Sequence, residues 1–393
     1  MLLIAGGGIG GLATALAVAR TGRPVRVLEK SPQFGEIGAG LQLAPNASHA
    51  LARLGVLDAI APYAVRPRRL LWRDARSGAR VTALDLGERF VARYGHPYVV
   101  MHRGDLLDVL LAACRADERI ALDASHEVVA VEQDDGGVRA VCANGEAFDG
   151  DALVAADGLW SRLRKLVHDD GDPLPARYVA YRGTLPVEEL WEGAGLEDVT
   201  LWTAPGLHFV QYPIRGGKLF NQVAVFHSEH FRPNGDDWGT PDELDAAFAV
   251  GCDAVRAGIA RIRRDRRWTM YDREPIAEWA SGRVVLLGDA AHPMLQYLAQ
   301  GACQALEDAV VLADALAAHD DPAAAFAAYR HARYLRTARV QYSARLFGEI
   351  WHTGEVGATL RDAMLAARPD DDFSHVEWLY GWRPPAESAA VRR

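Results

Sequence analysis

Two stretches of the sequence place glycines and carboxylates at spacings that suit nucleotide binding. In the first, Gly6, Gly8 and Gly11 satisfy the pattern GxGxxG between the apolar run LLIA and the segment LATALAVAR. A strand, such a turn and a helix together bring backbone N–H groups and a helix N-terminus onto a pyrophosphate. Glu29 closes the next predicted strand, where its carboxylate can accept hydrogen bonds from ribose hydroxyls. We interpret this unit as a dinucleotide site rather than a merely structural glycine turn.

The second stretch is Gly282 to Asp308, GRVVLLGDAAHPMLQYLAQGACQALED. Its apolar run VVLL predicts a short strand that is covered on both faces, and Gly288-Asp289 ends that strand. Apolar residues then recur at helical spacing, which predicts a helix that starts beside Gly301. A ligand at this place would meet the backbone donors of the helix N-terminus.

Other polar side chains allow more than one interpretation. Arg103 lies at the start of a predicted helix and could reach a phosphate, or it could simply pair with a surface carboxylate. Asp105 is predicted to cap that helix. His227, Glu229 and His230 could be taken for metal ligands, but a strand would place the two histidines on opposite faces, so no metal site is predicted.

A predicted helix over residues 322–352 carries an arginine stripe. The stripe consists of Arg330, Arg333, Arg336 and Arg339 at helical spacing. Such a stripe is usually a solvated face, and we interpret it in that way. A role in nucleic-acid binding would need support from the overall charge, which is −9.

Length and composition indicate a globular protein with a large core. With 393 residues, 50% of them hydrophobic and 24% charged, the chain is expected to divide into two or three structural units. The four cysteines are widely spaced and form no CxxC pair, which favours the reducing cytoplasm. Residues 1–19 carry no charge, but their glycines oppose a membrane helix and no basic segment precedes them. Neither a membrane span nor a signal peptide is therefore expected.

Three motifs stand in order along the chain: GGGIGG with Glu29, Asp157-Gly158 after an apolar strand, and Gly288-Asp289 followed by AAHP. In this combination the sequence resembles the single-component flavoprotein aromatic hydroxylases, also called group A FAD monooxygenases, over nearly its whole length. Several segments are most similar to the branch that hydroxylates 3-hydroxybenzoate at position 6, followed by the branch that acts on salicylate. These segments are GEIGAGLQLAPNA, AYRGT, HFVQYP, NQVAVF, MYDREPI and HPMLQYLAQGA.

The resemblance implies an α/β fold in which a Rossmann-like FAD-binding domain carries an inserted, largely antiparallel β-sheet domain for the substrate, with helices at the C-terminus. We expect the discontinuous FAD-binding domain to comprise residues 1–66, 98–175 and 275–320. The substrate-binding sheet is expected over residues 67–97 and 176–274, and the helical region over residues 321–393.

The resemblance also implies FAD as cofactor and NADH as a transient electron donor, although the sequence does not decide between NADH and NADPH. Asp289 is expected on the ribityl chain, and Arg103 near the flavin or the pyrophosphate. The helix N-terminus at Gly301-Ala302 can stabilise the negative charge of the reduced ring. The expected cofactor-binding residues are Gly6, Gly8, Gly11, Glu29, Lys30, Arg103, Asp157, Asp289, Pro293, Gly301 and Ala302.

In this family dioxygen adds to the reduced flavin to give a C4a-hydroperoxide, which attacks an electron-rich aromatic ring. A phenol reacts better as a phenolate, so a base is required, and histidine is the natural candidate. By resemblance, His208 takes the phenolic proton, while Tyr212 on the same strand face and Gln296 on the opposite loop orient the substrate. Without the resemblance, His208 would more readily be interpreted as a core histidine that a neighbour satisfies.

The expected reaction converts 3-hydroxybenzoate to 2,5-dihydroxybenzoate. Two alternatives stay open: decarboxylating hydroxylation of salicylate to catechol, and a flavin-binding protein without hydroxylase activity. Met294 in the substrate loop leaves the substrate preference in doubt. The partners expected are a small aromatic hydroxy acid and dioxygen, with no nucleic acid or membrane, and the family suggests a homodimer in the cytoplasm.

Overall fold

The computed structural model describes residues 1–35, 39–232, 235 and 237–385. Residues 36–38 of the segment GEIGAGLQLAPNA therefore lie outside the described residues. The strands are, in chain order, β1 (Leu2–Ala5), β2 (Val25–Glu29), β3 (Gly40–Leu43), β4 (Arg69–Asp74), β5 (Arg80–Asp85), β6 (Val99–His102), β7 (Ile120–Ala124), β8 (Val128–Gln133), β9 (Val138–Cys142), β10 (Ala147–Gly150), β11 (Ala152–Ala155), β12 (Leu174–Pro186), β13 (Val199–Ala204), β14 (Leu207–Ile214), β15 (Leu219–His227), β16 (Arg267–Asp272), β17 (Ala280–Ser281) and β18 (Val284–Leu286).

The α-helices are α1 (Ile9–Ala19), α2 (Pro45–Arg53), α3 (Leu57–Ile60), α4 (Glu88–Tyr94), α5 (Arg103–Arg115), α6 (Pro241–Phe248), α7 (Asp253–Ile259), α8 (Gly301–Ala318), α9 (Pro322–His352), α10 (Glu355–Ala366) and α11 (Glu377–Tyr380). Short 3₁₀ helices cover Leu163–Leu166, Val187–Glu189, Gly288–Ala290 and Gln296–Leu298. None of the helices in the described ranges is long and apolar enough to cross a membrane.

The nucleotide-binding unit is built on a six-stranded sheet with the order β17, β18, β11, β1, β2, β7. From β18 to β7 the strands run parallel, while the short edge strand β17 is antiparallel. The strands β1, β11 and β18 are apolar and buried along their whole length, as expected for a covered parallel sheet, and helix α1 and the strands β9 and β10 pack against this sheet. Helix α1 packs against α5 and α8. The sequence prediction of a covered strand at VVLL is thereby confirmed.

A seven-stranded sheet with the order β16, β12, β15, β14, β13, β4, β5 forms the second unit. Its neighbouring strands are antiparallel except for the pair β13 and β4. Smaller sheets pair β3 with β6 and arrange β10, β9 and β8 in order. The expected combination of a parallel nucleotide-binding sheet, a largely antiparallel second sheet and C-terminal helices is confirmed, whereas the exact domain boundaries stay a prediction.

The sequence also predicted a helix beginning with residues 159–167, LWSRLRKLV, and another over residues 246–262, and both predictions were wrong because polar side chains and glycine interrupt the helices. The segment after Asp157 forms only the 3₁₀ turn Leu163–Leu166, since the Asp157 carboxylate accepts the backbone N–H groups of Arg162 and Leu163. The predicted helix over residues 246–262 is divided between α6 and α7, with Gly251 in the connection. Helix α9, in contrast, begins and ends at the predicted residues.

Candidate active site

In the glycine turn after β1, steric contacts within the protein require two of the three motif glycines, and the third faces open space. Gly6 has φ +112°, and a Cβ there would clash with the carbonyl oxygen of Ala156. A Cβ at Gly11 would clash with the carbonyl oxygen of Gly6, so this glycine allows α1 to pack against β1. Gly8 differs from both, because a Cβ there would meet nothing within 4 Å. The N-terminus of α1 beside Gly8 is thus the open side of the turn, from which a pyrophosphate could approach.

Glu29 lies at the end of β2, adjacent to this turn. Its Oε2 accepts the Gly7 N–H at 2.6 Å and its Oε1 accepts the Ser31 N–H at 2.8 Å. The carboxylate therefore connects the end of β2 to the glycine turn. Lys30, the next residue, is exposed. The positions of Glu29 and Lys30 at the end of β2 are compatible with a nucleotide bound beside the glycine turn. The contacts that these two residues would make with it stay predictions.

The loops after β11 and β18 are held together by Arg164. This buried arginine donates from Nη1 to the carbonyl oxygens of Ala290 and Ala291, at 2.9 Å and 2.8 Å. Its Nη2 pairs with Asp170 at 2.6 Å. Asp157 accepts a hydrogen bond from the Ser161 hydroxyl at 2.6 Å, and burial raises the pKa of Asp157. The Asp157 carboxylate thus stabilises its own turn, and a direct contact with FAD or pyridine nucleotide stays a prediction.

The loop between β18 and α8 brings an exposed carboxylate next to a helix N-terminus. Asp289 is exposed, and a Cβ at Gly301 would lie 3.8 Å from Asp289 Oδ1. The N–H groups of Gly301 and Ala302 have no acceptor among the described residues, as expected for a first helical turn. Pro293 is buried, and its carbonyl oxygen accepts from Gln341 Nε2 at 2.9 Å. This end of α8 can therefore offer positive potential to an anionic ligand.

A buried network of charged side chains contacts the loop between β18 and α8. His292 Nε2 lies 2.5 Å from Asp308 Oδ2, which also accepts the Gly288 N–H at 3.1 Å. Arg333 donates to Asp308 Oδ1 at 2.7 Å and pairs with Glu307. Burial alone would raise the pKa of Asp308, but the charges of His292 and Arg333 outweigh it and lower that pKa to about 2. Both carboxylates are consequently held in the ionised form.

The arginine stripe of α9 is not a solvated face, so that interpretation was wrong. Arg333 is fully buried, and Arg336 donates to Glu307 and to the carbonyl oxygens of Trp378 and Leu379. Arg339 is exposed and lies over the Trp378 ring, 4.1 Å from its centroid. The stripe connects α9 to the buried carboxylates of α8 and to the C-terminal segment.

Arg333→Met is expected to lower the free energy of unfolding by about 3–5 kcal/mol, because it removes one cation from a buried ion cluster. Urea unfolding followed by tryptophan fluorescence would measure the change. Arg339→Met on the same helix is the control, with an expected loss of about 0.5–1 kcal/mol from its exposed cation–π contact. Equal losses in the two variants would contradict the assigned role of the cluster.

One face of the seven-stranded sheet collects polar side chains. His208, Val210 and Tyr212 alternate along β14 and therefore share a face. Val210 is in register with Val223 of β15, which is in register with Arg182 of β12. Side chains in register across antiparallel strands point to the same side, so Arg182 lies on the face of His208 and Tyr212. The sequence prediction that His208 and Tyr212 share a face is confirmed.

Tyr212 is packed closely at one end of this face. It is 2% exposed, and a Cβ at Gly40 would clash with its ring. Burial raises the pKa of Tyr212, which keeps its hydroxyl protonated at neutral pH. Tyr98 donates to Gln42 Oε1 at 2.7 Å beside it. Tyr212 can therefore act as a hydrogen-bond donor or acceptor but not as an anion.

Arg182 is a site residue that was not predicted from the sequence. Its Nη2 donates to Gln296 Oε1 at 2.7 Å, and its guanidinium lies 5.7 Å from the centroid of the Trp268 ring. Its Nε is buried without an acceptor, and among the described residues no carboxylate forms an ion pair with it. Burial lowers the pKa of Arg182, and the nearby charge of Arg103 lowers it further. A largely buried cation without an acid partner is suited to bind an anionic ligand.

His208 lies in an aromatic cluster at the other end of the face. It is 1% exposed, and its ring lies 5.4 Å from that of Tyr297 and 5.2 Å from that of Trp351 between centroids. Its Nδ1 lies 2.8 Å from Nε2 of His352. Burial holds the pKa of His208 well below its ordinary value, so the ring is neutral at neutral pH. A neutral imidazole can accept a proton.

Arg103 is the first residue of α5, and its backbone N–H donates to the carbonyl oxygen of Ala39 at 3.1 Å. The prediction that Asp105 caps this helix was wrong. His102 is the cap, because its Nδ1 accepts the Gly104 N–H at 3.1 Å, whereas Asp105 pairs with Arg215 at 2.9 Å.

His227 lies 3.3 Å from Glu229, and no group of three metal-ligating side chains occurs within the described ranges.

Comparisons with known proteins agree with this arrangement. The FAD-binding-domain family matches residues 1–343. The chain is 41% identical to 3-hydroxybenzoate 6-hydroxylase 1 of Aquipseudomonas alcaligenes, over 97% of each chain. It is 40% identical to 3-hydroxybenzoate 6-hydroxylase of Polaromonas naphthalenivorans, over 97% of this chain and 96% of the other.

Solved structures show the same fold. HpxO of Klebsiella pneumoniae complexed with FAD and uric acid has a TM-score of 0.87 and 28% identity, covering 98% of this chain and 97% of the other. A salicylate hydroxylase substrate complex has a TM-score of 0.81 and 25% identity, covering 100% of this chain and 97% of the other. The chain belongs to the FAD-binding-domain family and, within it, to the FAD-dependent aromatic monooxygenases.

Proposed function

We propose that this protein is an NADH-dependent FAD monooxygenase that converts 3-hydroxybenzoate to 2,5-dihydroxybenzoate. The observation that carries the proposal is the sheet face on which a neutral histidine, His208, and a largely buried cation, Arg182, occur together. A phenolic benzoate needs both features, because it presents a proton to be removed and a carboxylate to be held. The sequence similarity to two 3-hydroxybenzoate 6-hydroxylases supports the same substrate.

The residues at the glycine turn and at the N-terminus of α8 fit FAD. The open space at Gly8 admits a pyrophosphate, and the unbonded N–H groups of Gly301 and Ala302 suit the anionic edge of a reduced flavin. Glu29 would hold the adenosine ribose and Asp289 the ribityl chain. When it is reduced by NADH, bound FAD supplies the activated dioxygen that the hydroxylation consumes.

The side chains of the sheet face then act on the substrate. Arg182 holds the carboxylate, and His208 removes the phenolic proton, while Tyr212 and Gln296 orient the ring by hydrogen bonds. The negative charge of a phenolate is shared by the ring carbons ortho and para to its oxygen. In 3-hydroxybenzoate the para carbon is position 6, so hydroxylation there gives 2,5-dihydroxybenzoate. The buried aromatic cluster around His208 excludes water from this side of the site.

Salicylate is the second candidate substrate, because the salicylate hydroxylase complex matches the entire length of this chain. Its identity is lower than that of the 3-hydroxybenzoate relatives, which favours 3-hydroxybenzoate. A flavin-binding protein without hydroxylase activity would not require a base and a cation on one sheet face. We therefore place this third possibility last.

The test is to purify the yellow protein and to measure NADH oxidation and product identity with 3-hydroxybenzoate, salicylate and 4-hydroxybenzoate. Formation of 2,5-dihydroxybenzoate in proportion to NADH consumed would support the proposal, and parallel assays with NADPH would decide the electron donor. Catechol from salicylate as the main product would favour the second candidate. A colourless protein that FAD cannot reconstitute would refute the scheme.

Gly8→Val is expected to weaken FAD binding by about ten- to a hundredfold, because the added methyl groups occupy the space needed by the pyrophosphate at an overpacking cost of about 1–3 kcal/mol. Flavin fluorescence titration of the apoprotein would measure the dissociation constant. Far-ultraviolet circular dichroism should stay unchanged, since nothing lies within 4 Å of a Cβ at this position. Unchanged affinity would place the pyrophosphate elsewhere.

A homodimer in the cytoplasm is also proposed. Apolar side chains stay exposed along one side of α9 and α10: Leu335, Tyr342, Leu346, Val356, Leu360 and Met364. A patch of this kind suits contact with a second copy of the chain, and light scattering would give the mass in solution.

The cysteines at positions 114, 142, 252 and 303 are unpaired, in keeping with a reducing compartment. The net charge of −9 opposes nucleic-acid or anionic-membrane partners.

A further inference from the structure

A second histidine lies within hydrogen-bonding distance of His208. Nδ1 of His208 lies 2.8 Å from Nε2 of His352. A hydrogen bond between two imidazole nitrogens requires a proton on one and a lone pair on the other. If Nδ1 of His208 carries that proton, its Nε2 on the other side of the ring is free to accept one. The pair is thus arranged to pass a proton from one ring to the next.

His352 lies between His208 and the surface. It is the last residue of α9, where the helix dipole favours a positive charge. Its ring stacks on Tyr178 with 4.6 Å between centroids, and the ring of Tyr178 also lies 5.3 Å from that of His227. The His227 side chain is 31% exposed and lies 3.3 Å from the exposed Glu229. Ionisable side chains therefore continue from the sheet face to solvent.

The remaining surroundings of the pair are aromatic. Tyr297 and Trp351 contact His208, and the described residues place no carboxylate within hydrogen-bonding distance of either histidine. Burial lowers the pKa of both rings, that of His352 to about 4. A proton on His352 would lower the pKa of His208 further, and a proton on His227 would do the same to His352. Both rings are accordingly neutral at neutral pH and would carry an added proton only briefly.

We propose that His352 is the second member of a proton relay that carries the phenolic proton of the substrate from His208 toward solvent. This inference rests on the proposed function. The phenolic O–H bond breaks and its proton binds Nε2 of His208, while the Nδ1 proton of His208 passes to Nε2 of His352. His352 then releases its own Nδ1 proton to water. The balance is one proton moved from substrate to solvent, with both rings left neutral in the opposite tautomer.

The same relay runs backward when the product forms. Nε2–H of His208 returns a proton to the product oxygen, and a proton from water enters at Nδ1 of His352, which restores the starting tautomers. His352 does not touch the substrate in this scheme. Its role is to receive a proton from the catalytic base, so its loss should slow proton movement without weakening the binding of substrate that is already ionised.

His352→Gln tests the relay, because glutamine can still accept the Nδ1–H of His208 but cannot take up its proton. Stopped-flow mixing of the oxidised, FAD-loaded enzyme with 3-hydroxybenzoate in the presence of a pH indicator would measure proton release. We expect the release rate to fall about tenfold or more in the variant. The dissociation constant measured above the pKa of the free phenol should not change. An unchanged release rate would overturn the proposal.

His49→Gln is the matched control, since His49 is also a hydrogen-bonded histidine, on α2, and its Nε2 lies 2.8 Å from the Tyr94 carbonyl oxygen. It should release protons like the wild type, and an equal loss in both variants would overturn the relay.

¹⁵N NMR of the histidines without substrate is a second, independent test. A proton on Nδ1 of His208 supports the relay, and a proton on Nε2 instead overturns it even if 3-hydroxybenzoate is not the substrate. Absence of 3-hydroxybenzoate binding in the wild type would count against the proposed function alone.

Discussion

Arg182→Met is expected to weaken the binding of 3-hydroxybenzoate by roughly 30-fold to several thousandfold, which corresponds to about 2–5 kcal/mol for the loss of one partner from a buried charge pair. Equilibrium titration of the oxidised enzyme, followed by the flavin absorbance change, would measure the dissociation constant. Methionine preserves much of the length of the apolar stem and removes the guanidinium, together with its cation–π contact to Trp268. The loss should therefore report the charge and its hydrogen bonds.

The size of this effect follows from the surroundings of the guanidinium. Gln296 is a neutral acceptor, and the buried Nε has none among the described residues. The cation is thus held out of water without an ionic partner in the part of the chain that the structure describes, and a bound carboxylate would supply that partner with two parallel hydrogen bonds. Arg182→Lys keeps the charge but loses the fork-shaped geometry, so it should recover only part of the affinity.

Phenol, which lacks the carboxylate, is the matched ligand control for Arg182. Its weaker binding should change little between the wild type and Arg182→Met, because it makes no ionic contact with the guanidinium. If both ligands lose affinity equally, Arg182 maintains the shape of the site through Gln296 and does not bind the carboxylate.

Features that depend on local sequence could be predicted. The strand, glycine turn and helix around Gly8 follow from residues that are neighbours in the chain, and Gly11 is required by its contact with Gly6 in the same turn. Helix α9 has a clear start, with Asp321 accepting the N–H groups of Ala323 and Ala324. Apolar residues at helical spacing placed the start of α8 beside Gly301, where the helix begins.

Features that depend on pairing between distant segments could not be predicted. Arg182 lies in the segment AYRGT, and only the register with β15 and β14 shows that it shares a face with His208. His352 is far from His208 in the chain, and no local pattern marks it as a partner. The arginines of α9 have the spacing of a solvated face, and their burial depends on Glu307 and Asp308 of another helix. The similarity of AYRGT to known hydroxylases was the one signal that could have pointed to Arg182.

His208→Gln is expected to lower the rate of hydroxylation of 3-hydroxybenzoate at pH 7 by about 10²–10⁴-fold, the usual contribution of a positioned general base. Glutamine can still hydrogen-bond to the substrate and to His352, but it cannot accept the phenolic proton. Product formation measured by chromatography, beside NADH consumption, would separate slower hydroxylation from loss of coupling. His49→Gln should behave like the wild type in both measurements.

The pH dependence distinguishes a base from a packing residue. A phenol ionises without help near pH 10, so a variant that lacks only the base should regain hydroxylation as the pH rises toward that value. In the wild type, the pKa of His208 is held below its ordinary value, so its ring stays unprotonated and available throughout neutral pH. The ratio of wild-type to variant activity should therefore shrink steadily from pH 7 to pH 10. A ratio that stays constant over this range would mean that His208 serves only to fill the space between Tyr297 and Trp351, because the loss of packing does not depend on the ionisation of the substrate.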